Sequence, residues 1–430
     1  MKSTAIFLIF ILISFSNWAQ FQVETRSQIP EAVSNNPVCG AVVNGQKFGY
    51  TFGGIDTTKI YSGIHNRSYK YDVANDSWVS LPDLPDNEAK IAAGASFVNN
   101  MIYIIGGYQV LSNGNEITHN TVHRFDVTSD TFISDGAPLP TPTDDHVQAV
   151  YQDSLIFVVT GWNTNTNIPN VQIYNPTQDI WLIGSPLPNT NYYKSFGASG
   201  SILGDTLYYF GGARYAHNFP AQREIRKGWI NPQDPTDITW SIDTLHMDLV
   251  GYRMAATSMG NKLYWIGGSD ITYNYNGIGY QGSIPVEPNH RVLSYFPSQG
   301  TWDTNFYADI NMDFRGIASF SNELLLIGGM ENNQQVSSKT LRLYTEPNGN
   351  TEENLNSFQI YPNPATTTIK IEHNNHQYSM QIFNLQGQLI RSYKGWSKTQ
   401  FSIEGIPPGM YLVKFLSQQS KQVTTLLIQP

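Results

Sequence analysis

One motif recurs through the chain, a short apolar run that closes on two glycines. It reads MIYIIGG at Met101–Gly107, KFGYTFGG ending at Gly54, LIFVVTG at Gly161, TLYYFGG at Gly212, KLYWIGG at Gly268 and ELLLIGG at Gly329. Successive ends lie 51 to 61 residues apart. Self-similarity at such a period marks a repeat architecture, in which a unit cannot bury its own face and stacked neighbours supply the core. A chain of 430 residues is too long for one ordinary core unless repetition builds it.

Each unit carries the same sequence of signals. A small-residue strand comes first (Ala92–Val98, Met254–Met259), then a tight turn (Asn99 and Asn100, Gly260 and Asn261), then the apolar strand into Gly-Gly. After a loop of variable length a third strand has an aromatic near its end, as in Tyr69–Asp72, Val122–Asp126, Val171–Asn175 and Val292–Phe296. A polar turn leads to a fourth strand opened by Trp78, Phe132, Trp181, Trp240 or Trp302, and Leu-Pro follows at Leu84, Leu139 and Leu187. Four short strands separated by turns describe a twisted blade. Six blades set radially cover one another and leave only short edges. The composition agrees: 14% charged residues, 13% aromatics, 35 Gly and 23 Pro suit many strands and turns.

These residues resemble the kelch repeat, with its apolar strand into Gly-Gly, Tyr-Asp-type strand and spaced Trp. The resemblance covers residues 20–346 and implies an all-β, six-bladed kelch-type propeller. It speaks to fold rather than activity. The third copy departs at Thr160; the fourth lacks the Tyr-Asp pair, carries Gly228 and Trp229, and is expected to have a longer turn at 231–239. After Gly329 the last unit has one further strand, Thr340–Tyr344, while Phe21–Arg26 followed by Ile29 and Pro30 stands alone at the other end. We expect that N-terminal strand to complete the sixth blade, with Val23 where other units have Trp.

The first 19 residues combine Lys2, the apolar run Ala5–Ile13 and the small Ala19, the pattern of a secretory signal peptide. The run is too short to span a bilayer, and no other stretch approaches spanning length, so no transmembrane segment is expected. A polar linker is expected at 347–357, and residues 358–430 read as a small Ig-like β-sandwich of alternating short strands. Within it stand Tyr361, Pro362, Asn363, Pro364 and Ala365, then Leu385 and Gly387, then Pro408, Gly409, Met410, Tyr411 and Leu412. In that order they resemble the C-terminal (Por) sorting domain of the type IX secretion system of Bacteroidetes. The resemblance implies passage through the periplasm, export across the outer membrane by that machinery, and removal of the tail with surface attachment or release. An unrelated Ig-like carbohydrate-binding module is the alternative reading of the tail.

A net charge of −9 and pI near 5.4 argue against a nucleic acid, whose phosphates need a Lys/Arg surplus. Cys39 is the single cysteine, so no intramolecular disulfide forms; it is expected to be a small buried hydrophobe.

Strand parity places the residues before each first strand on the same face as the loops after Gly-Gly. Lys90, His146, Lys194, Arg253 and Arg315 are thereby expected to rim the central opening. Converging cations would focus an anionic ligand, with the two arginines as bidentate carboxylate partners. The neighbouring loops bring Tyr108, Trp162, Tyr215, Phe219, Tyr273, Tyr275 and Tyr280, and the loop Ser269–Asn289 is the longest. Other signals carry little. Gly277–Gly282 matches GxGxxG without a strand–helix unit around it; Asp144, Asp145 and His146 are adjacent and point apart on extended chain. No HExxH or GxSxG occurs, and no metal or cofactor is expected. A copper-radical oxidase of the galactose-oxidase kind needs a thiol cross-linked to tyrosine, which the inner-strand placing of Cys39 disfavours.

The first functional expectation is an exported propeller that recognises a glycan or a protein at the cell surface or beyond. The alternatives are a sugar-modifying enzyme resembling the six-bladed sialic-acid mutarotases, with Arg253, Arg315 and Glu224 or Glu287 as suspects, and an adhesive or structural surface protein.

Overall fold

The computed structural model describes residues 21–345 except 88, 244–248 and 283, and residues 359–429 except 373–377, 385–387, 394–399 and 418–420. The expected signal peptide at 1–19, the linker at 347–357 and the Leu385–Gly387 triplet lie outside the described residues. The chain divides into two compact units, one of Gln20–Tyr344 and one that includes Thr345–Pro430.

The first unit consists of six four-stranded antiparallel blades. Their innermost strands are Pro37–Val43, Gly94–Val98, Val147–Tyr151, Ser199–Leu203, Ala255–Met259 and Arg315–Ser319. Each of these lies beside the innermost strand of the next blade, and the sixth returns to the first, so the ring is closed. Small side chains dominate here because six strands converge: a Cβ at Gly94 would lie 2.3 Å from Gln148 Oε1. The sixth blade is assembled from both ends of the unit, since Phe21–Arg26 pairs with Thr340–Thr345 as its outermost strand. Blades six and one are further joined by parallel pairing of Pro37–Cys39 with Arg315–Ile317.

The glycine pair has a concrete task between blades. Gly106 and Gly107 have φ of 67° and 93°, and a Cβ at Gly106 would lie 2.2 Å from the Thr143 carbonyl of the next blade. The Gly107 N–H donates to that same carbonyl at 3.1 Å. Corresponding bonds run from Gly161 to Ser195, Gly212 to Gly251, Gly268 to Asn311 and Gly329 to Val33. Thr160 takes the left-handed conformation (φ 52°) that the first glycine of the pair takes elsewhere. Its hydroxyl donates to the Ser195 carbonyl at 2.9 Å, so the oxygen that would crowd a Cβ becomes its partner.

Aromatic pairs stack the outer strands. Tyr71 and Trp78, Tyr174 and Trp181, and Tyr295 and Trp302 have ring centroids 5.0, 5.0 and 4.7 Å apart at nearly the same tilt. The indole N–H of Trp78, Trp181 and Trp240 reaches a carbonyl of the preceding blade, Ser27, Ala137 and Ser185 respectively, at 2.8–2.9 Å. The fourth blade differs from the sequence expectation. Most of the expected turn at 231–239 is strand, Asp234–Asp243, paired to Ile225–Asn231 through a register shift. Gly228 replaces the tyrosine because the Trp240 ring lies directly over it, 2.5 Å from where a Cβ would stand.

The second unit has a three-stranded sheet (Gln359–Tyr361, Thr368–Glu372, Gln400–Ser402) and a four-stranded sheet (Tyr378–Phe383, Leu389–Tyr393, Gly409–Ser417, Lys421–Ile428). They share one apolar core that includes Ile369, Ile371, Met380, Ile382, Val413 and Leu426. Among the motif residues Asn363 is a fastener. Its amide donates to the Thr425 carbonyl and its oxygen accepts from the Leu427 N–H, both at 2.9 Å, pinning the last strand. Tyr411 bonds the Pro407 carbonyl at 2.7 Å, next to Pro408 and Gly409, while Pro362 and Pro364 stand exposed.

Candidate functional site

Just before each innermost strand, one residue of every blade adopts the left-handed conformation. These are Asn35, Ala92, Asp145, Gly197, Arg253 and Asp313, with φ between 46° and 67°. Asp145 N–H donates to Ala92 O, Gly197 N–H to Asp145 O, Arg253 N–H to Gly197 O, and Asn35 N–H to Asp313 O, at 2.8–3.4 Å. The Phe314 N–H bonds Arg253 O at 3.0 Å, and the Ala92 N–H bonds the Asn35 side chain at 2.9 Å. The result is a collar linking the six blades. Five of its residues carry a Cβ that disfavours this conformation by about 1–2 kcal/mol each, a cost offset by bonds to neighbouring blades.

Three collar side chains meet one another. Arg253 is 1% exposed, donates to both oxygens of Asp145 at 3.2 and 2.7 Å, and donates to Asp313 at 3.1 Å. Asp313 also accepts from Ser34 at 2.6 Å and Tyr273 at 3.2 Å. Arg315 approaches Asp145 at 3.1 Å. Burial alone would raise Asp145, but Arg253 and Arg315 outweigh it and hold its carboxyl below the usual range. Asp313, with one arginine, is raised by burial.

The expected cationic rim is therefore not present as a rim. Arg253 is spent on two aspartates. Arg315 and His146 line a separate cavity along the inner strands, where burial and then Arg315 depress the His146 imidazole to about 4. Lys90, also 1% exposed, lies in a buried cluster with Asp86 at 3.1 Å and His123 at 3.0 Å. Lys194 follows a turn, its N–H bonded to Thr190 O, and does not line the pocket. The physical reason is register: only Arg253 falls on the collar, while Lys90 and Lys194 precede it and His146 and Arg315 follow it.

What the post-glycine loops do form is a pocket of about 450 Å³ open to solvent, reaching from the second blade to the fifth. Arg253 and Asp145 line it together with rings of Tyr108, Trp162, Phe196, Phe219 and Tyr280. Phe219 packs edge-on against Tyr280 and Trp162 at 4.9 and 5.6 Å. Of the other expected aromatics, Tyr215 packs against Trp162 at 5.9 Å and is half exposed. Tyr273 is buried against Asp313, and Tyr275 packs on the cluster around Ile91.

The remaining lining residues are Glu116, Asp144 and Asn274. Glu116 arrives on a hairpin in which Tyr108–Val110 pairs with Glu116–Thr118, so the loop after Gly107 doubles back over the pocket. Asp144 is 3% exposed and receives one side-chain hydrogen bond, from Thr118 at 2.9 Å. Burial, then the charges of Asp145 and Glu116, push the Asp144 carboxyl well above its ordinary value. Glu116, though exposed, is also raised by partial desolvation against the pull of Arg253. Neither residue was legible as a site. Glu116 needed the hairpin, and Asp144 needed the left-handed turn at Asp145, which sends one aspartate to the collar and its neighbour to the pocket.

Comparison with known proteins agrees with this architecture. The Kelch motif family matches residues 92–134, and the secretion system C-terminal sorting domain family matches residues 359–429. Kelch-like protein terF of Aspergillus terreus is 30% identical over 146 residues, 32% of this chain and 30% of its own length. Kelch repeat and BTB domain-containing protein 12 of Homo sapiens is 27% identical over 154 residues, 34% of this chain and 23% of its own. The chain thus spans less than a third of the length of these curated relatives. The solved structure of YjhT aligns at a TM-score of 0.60 and 15% identity, covering 75% of this chain and 98% of that one, a likeness of fold. The chain thus carries a Kelch motif within a propeller fold, and its match to the sorting domain indicates type IX export to the cell surface or outside.

Proposed function

We propose that this exported propeller is a recognition module that holds a glycan unit in the pocket on its post-glycine face. The supporting observation is the pocket's lining, which brings aromatic rings together with the oxygen acceptors of Glu116, Asp144 and Asn274. Rings offer a flat apolar surface to a sugar face, and carboxylates accept from its hydroxyls, the small set of polar groups that orients a ligand in an apolar cleft. The anionic ligand expected from sequence is disfavoured, since Arg253 is already engaged by two carboxylates. A glycan array with the native protein and Trp162→Ala tests the reading: signal lost in the variant supports it, and no glycan signal from the folded native protein overturns it.

One observation favours sugar-modifying catalysis as a second reading. Glu116 and Asp144 share a pocket and both have raised carboxyl groups, the tuning that suits an acid–base pair. Anomer exchange followed by NMR, accelerated by native protein and not by Asp144→Asn, would favour it over binding alone.

A further inference from the structure

The charges in the pocket do not balance. Arg253 and Asp145 in its lining pair with each other, and with Asp313 and Arg315 respectively beside it, through contacts of 2.7–3.2 Å. Asp144 and Glu116 are left over. Among the described residues Asp144 has only the neutral Thr118 hydroxyl as a side-chain partner, and Glu116 makes no ion pair or side-chain hydrogen bond. For Asp144, a buried carboxylate without a positive partner is costly and its ordinary remedy is a cation, and the exposed Glu116 carboxylate lines the same pocket.

The walls point to what kind of cation. A hydrated metal ion would want oxygen ligands around it, whereas this pocket is bounded by Tyr108, Trp162, Phe196, Phe219 and Tyr280. The faces of aromatic rings attract organic ammonium groups, most strongly where water is excluded, and a cage of rings beside carboxylates is the arrangement that selects them.

We infer that the pocket selects a protonated amine, the ammonium group seated between the Glu116 and Asp144 carboxylates while the rings enclose the carbon skeleton. On the glycan reading, on which this rests, the ligand class is an amino sugar with a free amine rather than its N-acetylated or acidic counterpart. The raised carboxyl groups agree with this, because an ammonium group would supply the positive charge that the protein does not.

Isothermal titration of the full chain at neutral pH with glucosamine, N-acetylglucosamine, glucuronate and choline tests it. Glucosamine is expected to bind at least roughly tenfold tighter than N-acetylglucosamine, from one charge-assisted contact plus ring attraction. Glu116→Gln, a change at an exposed position, is expected to erase that preference. Equal affinity for the two sugars, or preference for glucuronate, overturns the inference and leaves the glycan reading standing. Choline binding without any sugar supports the amine selection and overturns the glycan reading. Titrations in which none of the four binds overturn both.

Discussion

Replacing Arg253 by Met keeps roughly the side-chain volume and removes the charge at the collar. Three charge-assisted hydrogen bonds disappear, two to Asp145 at 3.2 and 2.7 Å and one to Asp313 at 3.1 Å. Such bonds are worth about 1.5–3 kcal/mol each, but the carboxylates keep other partners. Asp145 retains Arg315, and Asp313 retains Ser34 and Tyr273. The net expectation is the loss typical of a buried ion pair broken from one side, about 3–5 kcal/mol. Urea denaturation followed by tryptophan emission reads it well, because seven of the nine tryptophans lie between Trp78 and Trp302. Adding Asp313→Asn to the variant should recover part of the loss, since it removes the carboxylate left with least compensation. The native collar should also show an acid limb. Asp145 is depressed in the folded state, so its stabilisation is present above the ordinary carboxyl range and lost as pH falls through the depressed value. The Met variant should flatten that limb. A loss below about 1 kcal/mol, or no rescue by Asp313→Asn, would refute the view of Arg253 as the keystone of the ring and return it to the ligand.

Other perturbations follow from the same geometry. His146 is neutral in the fold, its imidazole depressed from 6.5 to about 4, so stability should be complete above 6.5 and decline as pH falls toward 4, by up to about 3 kcal/mol; His146→Gln should remove that part of the pH profile. Asp144 is shifted the other way, so its burial grows more costly as pH rises above the ordinary carboxyl value, and Asp144→Asn should raise the melting temperature at pH 8 but not at pH 4. Gly106→Ala should cost more than about 3 kcal/mol in urea, since it adds left-handed strain to a contact 2.2 Å from the Thr143 carbonyl. Cys39 is buried and burial pushes its thiol up, so alkylation of native protein should proceed no faster than global unfolding.

The blades were legible because their signals are local. A run into Gly-Gly, an aromatic opening the fourth strand and Leu-Pro after it sit at offsets that the chain cannot easily disguise. Even the departure at Thr160 was visible, although the hydroxyl bond that permits it was not. The site was less legible because it is built from register, not type. Lys90 and Arg253 look alike in sequence, but two residues of offset put the first into a buried cluster with Asp86 and the second onto the collar. Asp144 and Asp145 were set aside as adjacent residues that point apart. The chain is not extended there: Asp145 is left-handed, its carboxylate pairs with Arg253 while that of Asp144 accepts from Thr118, and both residues line the pocket. Glu116 depended on a hairpin whose two short strands hold only three residues each.

The sixth blade, made from Phe21–Arg26 and the strands ending at Thr345, sets a clock on folding. The ring cannot be sealed until more than three hundred residues have been delivered, and bringing such distant ends together carries an entropic penalty of about 5 kcal/mol. Until that moment one edge of the sixth blade is open, and the N-terminal strand has nowhere to dock. Its docking then engages several partners at once, Phe21 against Tyr264 at 5.2 Å and Glu24 with Arg342 at 3.2 Å. The N-terminal strand is a latch as well as a strand.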